Sequence, residues 1–123
     1  MPAHRLSLLA AAVLAATTAT AAPPRATLQV IAPPGGVGSS FALGLNDAGQ
    51  VVGHSLESGS FGTALLWDAV GGSRAVPGVG VDGRANGINE RGQVVGDYVV
   101  NPRLGQRRAY VWDPALGLRV LPP

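Results

Sequence analysis

The segment from Gly53 to Glu57 is where residue types and spacing come closest to nucleophilic catalysis. His54 and Ser55 are adjacent there, and a nucleophile elbow carries its serine in the pattern G-x-S-x-G on a turn between a strand and a helix. This segment lacks the closing glycine, and no helix is predicted after it. Because successive side chains of a strand face opposite sides, His54 could not serve as a base for its neighbour. We therefore predict an exposed His54 and no catalytic residue.

The seven carboxylates offer little for acid–base or metal chemistry. A glycosidase pair needs two carboxylates about 5 to 10 Å apart, and Ca²⁺ takes about six to eight oxygen ligands. Four acids occupy equivalent positions of an internal repeat, where turn chemistry explains them: Asp47, Asp68, Glu90 and Asp113. The remaining three, Glu57, Asp82 and Asp97, form no recognisable arrangement with one another. The sequence therefore predicts no metal site and no cofactor.

Three aromatic residues with polar atoms, Trp67, Tyr110 and Trp112, could stack against sugars or pack in a core. Trp67 and Trp112 occupy equivalent positions of the repeat. That recurrence is expected if each aromatic residue anchors one sheet against its neighbour. We predict core packing, and a sugar-binding platform is the alternative.

Composition excludes several other classes of site. The chain has no cysteine, so disulfides, thiolate metal sites and cysteine nucleophiles are absent. Nine basic residues, all arginine, face seven acids, and the surplus falls to one when Arg5 is removed with a leader peptide. The one basic cluster, Arg103, Arg107 and Arg108, is predicted to lie in a solvated loop. A nucleic-acid partner is not expected from so little charge.

Residues 1–21 have the three parts of an export signal. His4 and Arg5 give a basic start, Leu6 to Ala16 form an apolar run, and the segment Ala19 to Ala21 fits the A-x-A cleavage pattern. An uncleaved membrane anchor is the alternative, but a spanning helix needs about 20 apolar residues. We expect cleavage before Ala22, no stable membrane anchor, and a periplasmic or extracellular protein.

The elements that must position these side chains come from an internal repeat. The ten residues from Gly44 to Gly53 recur from Gly87 to Gly96 with seven identities, at an offset of 43. Downstream, the segment Ala64 to Asp68 recurs from Ala109 to Asp113 at an offset of 45. The two extra residues are assigned to a loop. The predicted organisation is a strand and Gly/Ser-rich linker at 22–40, followed by repeats at 41–83 and 84–123.

Each repeat is predicted to contain four short strands. In the first repeat they are Ala42 to Leu45, Gln50 to Ser55, Thr63 to Trp67 and Arg74 to Val79; counterparts in the second include Ala85 to Ile88, Arg108 to Trp112 and Leu118 to Leu121. Leu28 to Pro34 resembles the last of these and is predicted as a ninth strand. Between the first and second strands, Asn46 to Gly49 and Asn89 to Gly92 fit a type I turn, with asparagine bonding backbone two residues on and glycine at positive φ.

Both faces of the third strands are apolar. Ala64 and Leu66 alternate with Leu65 and Trp67, so these strands should be covered on both sides. Neighbouring blades of a β-propeller stack in this way. The sequence predicts an all-β fold of two propeller-like four-stranded repeats, with two sheets packed as a small β-sandwich as the alternative.

The block G-[LI]-N-x-x-G-Q-V-V-G, followed by A-x-x-W-D, resembles the bacterial extracellular repeats known as the HAF family over about Leu28 to Pro123. The resemblance implies a secreted, propeller-like repeat array; it brings no assigned activity and no catalytic residue. This chain differs from the usual pattern in having two complete copies, whereas closed propellers have about four to eight blades. The sheets could pack on each other, several chains could form a ring, or the chain could be a piece of a longer array.

These observations predict a non-enzymatic structural or protein-interaction module that contacts protein partners or self-associates through open blade edges and faces. The alternative is a cell-surface protein that binds or cleaves carbohydrate. Residue patterns do not identify a small-molecule ligand.

Overall fold

The computed structural model describes residues 21–57 and 62–123, which form eight β-strands. The first repeat contains β1 (Ser39–Leu45), β2 (Val51–Leu56), β3 (Thr63–Asp68) and β4 (Gly72–Ala75). The second contains β5 (Arg84–Ile88), β6 (Val94–Asn101), β7 (Gln106–Asp113) and β8 (Gly117–Val120). Each set forms one antiparallel sheet with its strands in chain order. The predicted all-β fold of two four-stranded repeats is confirmed, and the predicted signal-peptide helix lies, apart from Ala21, outside the described residues.

The predicted N-terminal strand is the exception. Residues 21–38 have no strand pairing, although the segment is held to the first sheet where the Ser40 and Ser73 hydroxyls donate to the carbonyls of Ile31 and Ala32. This segment resembles the fourth strand of a repeat, which pairs with the third strand of the same repeat. The segment has no such third strand of its own beside it. Pro33 and Pro34 also supply no backbone N–H.

The asparagine-to-glycine turns form as predicted in both repeats. Gly49 and Gly92 each have a φ of 76°, and their N–H groups donate to the carbonyls of Asn46 and Asn89 at 3.0 Å. The side-chain bond differs in part from the prediction. Asn46 Oδ1 accepts from the N–H of Gln50, four residues on, at 2.9 Å, whereas Asn89 Oδ1 accepts from residues two and four positions on.

The glycine that closes each repeated block is required by a close approach between strands. A Cβ on Gly53 would lie 1.7 Å from the carbonyl oxygen of Phe41, and one on Gly96 would lie 1.9 Å from that of Arg84. Both approaches occur beside a β-bulge in the first strand of the repeat. The two sheets therefore share one irregularity at the same place.

The sheets pack against each other through a single apolar core. Its fully buried members are Val52, Ala64, Leu66 and Val76 from the first repeat and Ala85, Val94 and Tyr110 from the second. Strand β5 lies across β1, β2 and β3, and a Cβ on Gly44 would come within 3.2 Å of Gly87 Cα. The small residues thus let the two backbones approach closely.

Opposite faces of the repeat meet in this core. Val52 packs from the first sheet, and its repeat counterpart Val95 points away from the core on the second. Val94 packs from the second sheet, and its counterpart Val51 points away on the first. The second sheet therefore follows the first head to tail, as consecutive propeller blades do.

Candidate functional site

The second sheet carries a surface that combines an apolar patch with an ion-pair cluster. Val95 and Val111 are paired across β6 and β7, and Ala109 lies on the same face. Asp97 pairs with Ala109, which continues that face towards a charged end. We call the three apolar residues the open face of sheet 2.

Arg107 is the centre of the charged end. Its Nε donates to Asp97 Oδ2 at 2.6 Å, and its Nη1 pairs with the Asp82 carboxylate. Its Nη2 also donates to the Asp82 carbonyl at 2.8 Å. The hydrogen bond to Asp97 and then that to Asp82 raise the pKa of Arg107, against the opposing effect of burial. All three side chains are partly buried, so the cluster is a fixed element of the surface.

This cluster was not predicted from the sequence. Asp82 and Asp97 were predicted to have no arrangement with each other, and Arg107 was assigned with Arg108 to a solvated loop. Both arginines instead lie on β7, because the hairpin extends beyond the repeated block to a turn at Asn101. Asp82 has a φ of 49° in the linker between the repeats, which brings it beside β7. Only Arg103 of the three lies outside a strand.

His54 and Ser55 do not form a catalytic pair. His54 lies on the same face as Ala64 and stacks on Phe41, with ring centroids 4.8 Å apart, whereas Ser55 faces the other side and is 1% exposed. Burial, followed by the charge of Arg84, lowers the pKa of His54 against the opposing charge of Asp82. The prediction of an exposed His54 is wrong, because the side chain is partly buried, stacks on Phe41 and lies near Arg84 and Asp82. Among the residues that the structure describes, neither His54 Nδ1 nor Ser55 Oγ has a hydrogen-bond partner.

Two of the four acids assigned to turns hold turns together. Asp68 Oδ1 accepts from the N–H groups of Val70 and Gly71, and the carboxylate pairs with Arg74 at 2.7 Å. The hydrogen bond from Gly71 is the main cause of the lowered pKa of Asp68, followed by that from Arg74.

Asp113 repeats this arrangement in the second sheet. Its Oδ1 accepts from the N–H groups of Ala115 and Leu116, and its Oδ2 accepts from the Gln93 amide at 2.8 Å. The bond from Gln93 is the largest cause of its lowered pKa. The turn explanation therefore applies to Asp68 and Asp113.

The other two acids join the repeats instead. The Glu90 carboxylate accepts the backbone N–H of Asp47 at 3.0 Å, and Asn46 Nδ2 donates to the carbonyl of Asn89 at 3.0 Å. Each bond connects a residue to its own counterpart 43 positions later. We call this set of contacts the turn ladder.

The aromatic residues differ in burial. Tyr110 is completely buried, its hydroxyl donates to the Arg84 carbonyl at 2.8 Å, and burial raises its pKa. Trp112 packs against the same core. Core packing is therefore confirmed for these two residues. The same prediction is wrong for Trp67, which is partly buried on the face of the first sheet that points away from the core.

Within residues 21–57 and 62–123, no three His, Asp or Glu side chains cluster as metal ligands would. That part of the chain also contains no helix long and apolar enough to cross a bilayer. Comparisons with protein-family models, with curated proteins and with solved structures found no match.

Proposed function

We propose that this chain is an exported, non-enzymatic module of HAF-type repeats that acts through protein contacts on the open face of sheet 2. One observation supports the proposal. Val95 is valine like its counterpart Val52, yet it is 46% exposed whereas Val52 is 0% exposed. An apolar face of this kind, bordered by fixed charges, is typical of a protein-binding surface.

The composition of the surface fits a protein partner. Its centre consists of aliphatic side chains, and at its charged end Arg107 is paired with two carboxylates. A partner could cover the apolar centre while these paired groups remain at its border. Sugar binding would instead call for exposed aromatic rings, and Tyr110 is buried beneath this sheet on its other side.

Site-specific photo-crosslinking tests the proposal. A photoreactive amino acid at Val95 should crosslink to a defined protein, either another copy or a different one, in cells that produce and export the chain. The matched control is the same substitution at Val70, which is 100% exposed in the β3–β4 turn. A glycan-array signal without any protein crosslink at Val95 would favour the carbohydrate-binding alternative.

Export is tested separately by sequencing the N-terminus of the mature protein. A start at Ala22 in the exported fraction is expected. A start at Met1 would contradict the leader assignment.

A further inference from the structure

The two faces that point away from the core are repeat counterparts of the two faces that form it. On sheet 2, the open face consists of Val95, Ala109 and Val111. Their counterparts on sheet 1 are Val52, Ala64 and Leu66, which are all buried in the core. The open face of sheet 2 thus presents the kind of surface that already accepts one blade.

Sheet 1 presents the face that matches the open face of sheet 2. We call Ala42, Leu45 and Val51 the open face of sheet 1, since all three lie on the side away from the core. Their counterparts are Ala85, Ile88 and Val94, which fill the core from sheet 2. Leu45 is 68% exposed, whereas Ile88 packs against the buried cluster.

We infer that a second copy of this chain seats the open face of its sheet 1 on the open face of sheet 2, repeating the internal contact between copies. This inference rests on the proposed function and names its partner. Both open faces are apolar, although within one chain neither has the matching face to pack against. A second copy supplies both.

The strand that would make this contact is accessible. In the internal contact, β5 crosses the three neighbouring strands of sheet 1. Its counterpart β1 is exposed along most of its length. Residues 29–31 border this face and line a groove with Ala42, Val51 and Leu65. Ile31 also lines a shallow hollow with Leu45 and Val51, and Leu45 itself remains 68% exposed.

The turn ladder extends the same way. Asn46 uses its amide to donate both to Gln50 Oε1 and to the carbonyl of Asn89. In the described part of the chain, the Asn89 amide donates to Gln93 Oε1 alone. A second copy in the inferred position would bring its Asn46 carbonyl to the remaining amide proton. Its Asp47 carboxylate would likewise face the N–H of Glu90.

Such a contact uses two different faces, so it continues from copy to copy until it closes. Propellers close with about four to eight blades, which corresponds to about two to four copies of a two-blade chain. The inferred assembly is therefore a ring of that size.

Blocking each face in a different copy gives a decisive experiment. Leu45→Arg blocks sheet 1, Val95→Arg blocks sheet 2, and Val70→Arg is the control in an exposed turn. The purified full-length proteins are studied by sedimentation velocity, and circular dichroism checks that each variant folds. We expect an assembly of about two to four copies for the unmodified protein and the control, and single copies for each blocked variant.

An equimolar mixture of the two blocked variants tests the direction of the contact. Each retains the face that the other has lost, so the mixture should form a complex of two copies and nothing larger. The inference is overturned if the unmodified protein remains a single copy at about 0.1 mM, if the mixture contains only single copies, or if Val70→Arg also dissociates the assembly. A single copy that still crosslinks to a different protein at Val95 would leave the proposed function intact. A single copy without any protein crosslink would remove both.

Discussion

Removing the same two methyl groups at the two repeat-equivalent valines should have different costs. Val52 is completely buried, so Val52→Ala loses about 1.6 kcal/mol of transfer free energy and, with the cavity that remains, about 2 to 3 kcal/mol of stability. Val95 is 46% exposed, and Val95→Ala should cost less than about 1 kcal/mol in the single copy.

Urea unfolding, followed by tryptophan fluorescence at low protein concentration, measures the difference. With an m-value near 1 kcal/mol per molar, Val52→Ala should lower the midpoint by roughly 2 to 3 M and Val95→Ala by less than roughly 1 M. Equal costs, or a larger cost at Val95, would refute the assignment of faces to the core. If copies associate as inferred, the stability lost in Val95→Ala should grow with protein concentration. Part of the stability lost in Val52→Ala should instead be the same at every concentration, because that part comes from the core of a single copy.

Three further predictions concern single side chains. Tyr110→Phe removes the hydrogen bond to the Arg84 carbonyl and should lower the free energy of unfolding in urea by about 1 to 2 kcal/mol. Ultraviolet titration of the unmodified protein should show a phenol that resists ionisation above about pH 10. His54 has a lowered pKa in the folded protein, so its contribution to stability is complete above about pH 6.5 and is lost as the pH falls towards the pKa of the folded state. His54→Phe should therefore flatten the dependence of stability on pH in this range. An unchanged dependence would contradict the burial of His54. Gly96→Ala should prevent folding or lower stability by more than about 3 kcal/mol, because its Cβ would meet the Arg84 carbonyl. Gly117→Ala is the control and should lower stability less, because a Cβ there meets no other atom and only the positive φ is strained.

Most of the fold was accessible from sequence because its signals are local. The asparagine and glycine of each turn, and the alternation in β3 and β7, specify elements whose bonds lie within a few residues. The predicted strand at Leu28–Pro34 failed for the opposite reason. Its composition suits a strand, but a strand also requires a free neighbour, and no local pattern supplies one.

The ion-pair cluster could be predicted only in part. The repeat sets Val94 opposite Trp112, and this register places Asp97 and Arg107 on one face as diagonal neighbours. That step was available from the sequence. The position of Asp82 could not be predicted from the sequence, because it depends on a positive φ in a linker whose path is determined by packing between the sheets.

The turn ladder has a consequence for how such a chain can change in length. Since the first turn bonds to its counterpart 43 residues later, an insertion between Gly44 and Gly53 would break the contacts that join the two repeats. The β6–β7 hairpin makes no ladder contact, and it is there that the second copy carries two additional residues. Duplication by a complete unit would preserve every contact. The hairpin tip therefore accommodates two additional residues, whereas an insertion in either turn would break the ladder.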